Sequence, residues 1–137
     1  MYKSIEHKNI KEPSKLGSYS SDDVVFLLKD ISESIVERGT EEREEVIQGG
    51  GHYSEMLPIE YKPSDEYIKL YHKAMDEFSD KIAESTAVVA ENIIKKRGSD
   101  TVLISLARAG TPFGILIKRS IKEKYGIEIP HYAISII

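Results

Sequence analysis

The stretch from residue 101 to residue 137 constrains this chain more than any other. TVLISL is an apolar, β-rich run of strand length, and ILIKRSIKEKYG is amphipathic with Gly126 as its stop. IPHYAISII is a second apolar run of strand length. Two such runs joined by one helix predict a βαβ unit with parallel strands and a right-handed crossover. TVLISL does not alternate polar with apolar residues, as expected of a strand covered on both faces. The turn between strand and helix reads ARAGTP, with Thr111 as the expected N-cap and Pro112 at the first helical position. Phe113, Leu116, Ile117 and Ile121 then fall on one helix face. Two strands do not complete a doubly wound sheet. The chain is therefore expected to be the N-terminal part of a longer α/β domain, or to pair with another chain.

The rest of the sequence sets the bounds. A length of 137 residues, 40% of them hydrophobic and 31% charged, is one globular domain's worth of chain. No apolar run approaches the roughly 18 residues of a membrane span, and the polar N-terminus has no apolar signal core. There is no cysteine, so disulfides, thiolate metal sites and a cysteine nucleophile are excluded within this chain. A reducing, cytoplasmic setting fits. The net charge of −4 hides an asymmetry. Asp22 to Glu60 carries 11 acidic and 3 basic residues, whereas Lys95 to Tyr125 carries 8 basic and 2 acidic. The basic part includes the ARAGTP turn, where it either favours an anion or belongs to solvated helix surfaces. The overall acidity argues against broad nucleic-acid binding.

Before the βαβ unit the pattern is mainly helical. Residues 1 to 19 read as an arm or loop. Ser20 and Asp23 have capping-box spacing, which predicts a short helix from about Asp22 to Asp30. ISESIVERGTEEREEVIQ is helical in character, broken at Gly39, with Thr40 as the N-cap of a second segment. GGGHYSEMLPIEYKP follows as a loop, long enough to carry function. Its three glycines permit close approach to a ligand, and His52, Tyr53, Ser54 and Glu55 offer hydrogen bonds and a ring for stacking. The same loop equally reads as one whose Tyr53, Met56 and Leu57 pack on the next helix. That helix runs from Asp65 to Arg97, with Ser64 as N-cap, acids at its start and Lys95, Lys96 and Arg97 at its end. It would be roughly 50 Å long, and a break near Ser79 or Ser85 is expected. The expected division is 1–63 as a helical and loop extension and 64–137 as the long helix plus the βαβ unit.

Chemistry concentrates at the turn. Ligands of open α/β sheets bind at the carboxyl ends of strands, and a helix start offers amides and a positive dipole end. Ala109 and Gly110 allow close backbone approach, and the Arg108 fork suits phosphate oxygens. Those features describe a phosphate or pyrophosphate cradle; an ordinary βα turn with a solvent-facing arginine has the same residues. His7, His52, His72 and His131 lie far apart, without the spacing of a zinc motif, and Ser105 lacks the context of a hydrolase elbow.

LISLARAGTP resembles the pyrophosphate loop of type I phosphoribosyltransferases, and its LARAG is similar to the LRAG turn of uracil phosphoribosyltransferases. GSYSSDDVVFLLKDI, EEREEVIQGGGHYSEMLPIEY, VLISLARAGTPFGILIKR and PHYAISII, taken in order, resemble the phosphoribosyltransferase-like family found beside tellurium-resistance genes, often labelled cysteine protease StiP. The resemblance implies an α/β fold of the type I phosphoribosyltransferase kind, here truncated, with a helical N-terminal extension. It implies that Arg108, Ala109, Gly110 and Thr111 grip the pyrophosphate of phosphoribosyl pyrophosphate, with Mg²⁺ held largely by the ligand. It places a base-like acceptor near His52, Tyr53, Ser54 and Glu55, and is compatible with a homodimer. In such enzymes a non-proline cis peptide often lies in the turn. Two features depart from the family: the paired-acid, Thr/Gly-rich loop that holds the ribose phosphate is missing, and so is the cysteine of the protease label. The chain alone is therefore expected to be catalytically inert. A non-catalytic binding or assembly module with this fold, or a peptidase, are the alternatives.

Overall fold

The computed structural model describes residues 12, 13, 15–31, 33, 35–52 and 56–135. The βαβ unit forms. Strand β4 (Leu103–Leu106) leads through the turn into helix α3 (Gly110–Tyr125), and α3 returns to strand β5 (His131–Ile134). β4 and β5 are parallel, with Leu103 opposite His131 and Ser105 opposite Ala133. Gly126 ends α3 in the left-handed conformation that glycine adopts without penalty, and its amide caps the Lys122 carbonyl.

The predicted helix over 22–30 does not form. The Ser20 carbonyl accepts from the Asp23 and Val24 amides, the Ser20 hydroxyl accepts from the Asp22 amide, and the chain leaves that single turn as strand β1 (Val25–Phe26). β1 pairs parallel with β5, giving a three-stranded sheet in the order β1-β5-β4. The reason is tertiary. β5 has a second edge whose backbone groups need partners, and a Val-Val-Phe segment of β-branched and aromatic residues fills it better than it fills a helix. The N-terminal region thus shares a sheet with the βαβ unit. A smaller parallel pair joins β2 (Glu37–Arg38) to β3 (Leu57–Pro58), around helix α1 (Thr40–Gln48), whose N-cap position is Gly39 rather than Thr40.

Helix α2 (Asp65–Arg97) has the boundaries expected, and the Ser64 hydroxyl accepts from the Tyr67 amide. It is one helix across Ser79 and Ser85, where a break was expected. The Ser85 hydroxyl donates to the Lys81 carbonyl and leaves the helix intact. The C-terminal half of α2 packs on α3. Ala90 of α2, Ile121 of α3 and Ile129, just ahead of β5, form one buried cluster. Val24, Ile115 and Ala133 form a second, on the β1 side of α3. Glu91 of α2 pairs with Lys95 and with Lys124 of α3, and these two ammonium groups hold its carboxyl down to about 2.

β4 departs from the expectation of a doubly covered strand. It is an edge strand whose Ser105 faces α3, while Ile104 and Leu106 on the other face are 64% and 51% exposed. Among the described residues no helix is long and apolar enough to cross a membrane.

Candidate functional site

The turn sits at the carboxyl end of β4, as the strand-end rule requires. The Ala107 amide donates to the Ile134 carbonyl at 2.8 Å, the last rung of the β4–β5 ladder. The next residue, Arg108, takes φ 76°. Left-handed backbone costs an L-residue about 1–2 kcal/mol, and Arg108 is the one non-glycine among the described residues that adopts it. This reversal brings Ala109 and Gly110 straight into helical geometry, so α3 begins at Gly110. Thr111 is accordingly not the N-cap. Its amide donates to the Arg108 carbonyl at 3.1 Å, and its side chain is buried with no hydrogen-bond partner for the hydroxyl. Pro112 lies in the first helical turn, where no N–H is missed. The described peptide bonds are all trans, so the turn's unusual geometry resides in Arg108 φ and not in a cis bond.

Arg108, Ala109 and Gly110 line an open groove of about 560 Å³ between the free edge of β4 and α3, together with Ser105, Phe113 and Ile117. Three of the four expected pyrophosphate residues are thus on one wall, and Thr111 lies beneath them in the core. Of the second expected set, His52 is exposed, and Tyr53, Ser54 and Glu55 lie outside the described residues.

The basic excess of 95–125 has a structural use away from the turn. Arg119 forks onto Asp23 with bonds of 2.8 and 2.6 Å, Lys118 donates to the Asp22 carbonyl, and Lys122 pairs with Glu128. These lysines and this arginine sit two to three helical turns beyond the start of α3 and bind it to its neighbours. Arg108 is the basic residue in the turn itself.

Sequence reasoning missed a polar constellation under α3. Ser105 Oγ lies 2.8 Å from His131 Nε2, and His131 Nδ1 lies 2.9 Å from the Asp23 carbonyl oxygen. A carbonyl can only accept, so Nδ1 carries the proton and Nε2 accepts from the Ser105 hydroxyl. The Asp23 side chain meanwhile holds Arg119, which keeps its carboxyl below the usual range. Both Ser105 and His131 are buried, and Gly114 passes directly over them. The available signal was a polar residue at an inward strand position in each of two apolar strands, with a glycine in the helix between them.

Burial pushes the His131 imidazole down from 6.5, with the nearby Lys118 charge acting the same way and the Asp23 carbonyl and carboxyl opposing it. A depressed histidine means that the unfolded chain takes up a proton the folded chain refuses. Stability should therefore be full above 6.5 and fall as pH drops through 6.5. The Asp23–Arg119 pair should fail separately, below 3.8. Urea midpoints measured across this range check the point. His131→Gln should flatten the upper limb, and an unchanged slope would show that another group causes it.

Among the described residues no three His, Asp or Glu side chains converge to hold a metal.

Residues 17–137 match the family model described as "Tellurite-like stress resistance cysteine protease StiP". The chain is 36% identical over 122 residues to the protein named "Cysteine protease StiP" from Acinetobacter baylyi, an alignment that covers 88% of this chain and 31% of that protein. The chain therefore spans about a third of the length of the curated relative it matches. No solved structure matches it.

Proposed function

The chain belongs to the StiP family of tellurite-like stress resistance proteins, and on that premise we propose that it is part of a phosphoribosyltransferase-like domain whose 108–111 turn binds pyrophosphate. The ligand would be phosphoribosyl pyrophosphate or a related ribose phosphate. The observation that carries the reading is the left-handed Arg108 at the carboxyl end of a parallel strand, next to a helix start. A cationic residue held in an unfavourable backbone conformation marks a position that function has over-determined. In this reading the Arg108 guanidinium and the Ala109 and Gly110 amides take the phosphate oxygens, stabilising charge as the ribose–pyrophosphate bond breaks. A base-like acceptor would approach near residues 52–55. Mg²⁺ would enter with the ligand's phosphates, since among the described residues no cluster of carboxylates would hold it. The relative's name says protease. A cysteine nucleophile would have to come from outside these 137 residues, which contain none.

Calorimetric titration with pyrophosphate and with phosphoribosyl pyrophosphate tests the reading, using wild type and Arg108→Gly. Glycine relieves the left-handed strain and removes the fork. Relief of the left-handed backbone is worth about 1 kcal/mol in the variant's favour, while pyrophosphate affinity should fall at least about tenfold. Equal affinity in the two proteins, or no heat from wild type at millimolar ligand, would refute the cradle and favour a module without this ligand.

A further inference from the structure

We propose that α2 pairs with α2 of a second copy of this chain as an antiparallel two-stranded coil. Residues Asp65 to Ser85 of α2 are nearly all exposed, and only their C-terminal part borders α3, across grooves open to solvent. Yet this part of the helix is not polar. Ile68, Tyr71, Met75, Phe78, Ile82 and Val89 recur at alternating steps of three and four, with Ser85 and Asn92 completing the series. That spacing is a heptad seam, with Ile68, Met75, Ile82 and Val89 at one core position and Tyr71, Phe78, Ser85 and Asn92 at the other. It persists for three and a half heptads. The six apolar members are exposed to between 40%, at Ile68, and 54%, at Tyr71. The residues of α2 buried in the monomer are Thr86 and Ala90, and the seam runs alongside them, with Ile82 and Val89 bordering α3 yet open to solvent. The seam thus extends the apolar surface of α2 beyond what α3 buries. A helix half of this length has little stability in water without a packed face.

Side-chain size selects the occupant and its direction. The large residues Tyr71, Met75 and Phe78 are in the N-terminal half of the seam, and the small ones, Ser85 and Val89, are in the C-terminal half. In an antiparallel pair centred on Asp80 the layers are Ile68 with Asn92, Tyr71 with Val89, Met75 with Ser85, and Phe78 with Ile82. Every large side chain but one meets a smaller one, which is how cores fill without voids or clashes. A parallel pair would stack Tyr71 on Tyr71 and Phe78 on Phe78, and leave Ser85 facing Ser85. Charge selects the same direction. Antiparallel pairing sets Asp65 and Glu66 beside the partner's Lys95, Lys96 and Arg97, whereas parallel pairing sets like charges together. A receiving surface is also present. Two grooves, of about 520 and 360 Å³, run along the boundary of α2 and α3, floored by Phe78, Ile82 and Val89 and walled by Leu116 and Phe113. The protruding half of one α2 would lie in the grooves of the other, and two-fold symmetry makes the exchange mutual.

Sedimentation equilibrium of the 137-residue chain should give twice its 15.5 kDa mass. Phe78→Glu places a charge in the central layer and should weaken association at least about a hundredfold. Leu70→Glu, on the same stretch of α2 but off the seam and 64% exposed against 45% for Phe78, should leave the dimer intact. Direction is read by cross-linking, which the cysteine-free sequence makes clean. Ile68→Cys combined with Asn92→Cys should oxidise to an intermolecular disulfide, and neither single variant should. A monomer with full helical circular dichroism would overturn the proposal and assign the seam to a further segment of a longer polypeptide. Cross-linking of Ile68→Cys alone would overturn the antiparallel direction.

Discussion

Gly114→Ala should destabilise the protein by about 3 kcal/mol or more, although the position is mid-helix. Replacing a helical glycine with alanine ordinarily gains up to about 1 kcal/mol, so the sign itself is the test. The reason lies beneath the helix. A methyl group at Gly114 would fall 2.6 Å from His131 Cε1, and closer still to His131 Nε2 and Ser105 Oγ. Neither side chain has an inexpensive way out. Ser105 and His131 are buried and bonded to one another, and His131 is also bonded to the Asp23 carbonyl. Moving either leaves a buried polar group without a partner. Moving α3 outward instead opens the Ile115 and Ile121 clusters. Denaturant midpoints of wild type and variant measure the effect. In a His131→Ala background the Gly114→Ala cost should shrink, because one of the two clash partners is gone and the Ser105 hydroxyl, released from its bond to His131, can turn away. A Gly114→Ala variant as stable as wild type would mean that α3 rides higher over the sheet than described.

Ile121→Ala should cost about 3–4 kcal/mol, a large share of the 5–15 kcal/mol typical of a folded domain. Ile121 is fully buried and is the residue through which α2, α3 and the approach to β5 meet, touching Ala90 and Ile129, with Ile94, Leu103, Ile117 and Ile127 around them. Ala90 is already small, so neighbours there cannot swing in to fill the cavity. Among the described residues seven hydrophobic side chains are buried, a small core in which one deletion weighs heavily. Leu116→Ala, one helix face away and 40% exposed, is the control and should cost under about 1 kcal/mol in the monomer. Thermal unfolding followed at 222 nm compares the two, and equal losses would mean that the core is not centred on Ile121.

The parts of this fold that were readable in the sequence are those whose cause is local. The 33 residues of α2 carry their own cap, end charges and stop, and their boundaries are as read. The strand–helix–strand order of 103–134 follows from apolar runs and Gly126. Arg108, Ala109 and Gly110 were likewise placed together, since a tight turn at a strand end keeps sequence neighbours adjacent in space.

What failed to be readable depends on partners distant in sequence. Asp22 to Phe26 has the signature of a helix start, yet it becomes a turn and a strand because β5, paired through Val25 with Tyr132 and Phe26 with Ala133, offers it an edge. Ser105 and His131 looked unrelated because they stand 26 residues apart; parallel register and a glycine in α3 bring them to hydrogen-bonding distance. The basic cluster of α3 looked like a field for an anion and turned out to bind Asp23, Glu91 and Glu128. By itself, then, the sequence determined the long helix, the βαβ unit and the place of the turn, because propensity, capping and periodicity act within a few residues. The left-handed Arg108, the burial of Thr111, the recruitment of β1 and the serine–histidine pair were decided only by tertiary packing, where backbone groups and side chains from separate elements compete for the same partners.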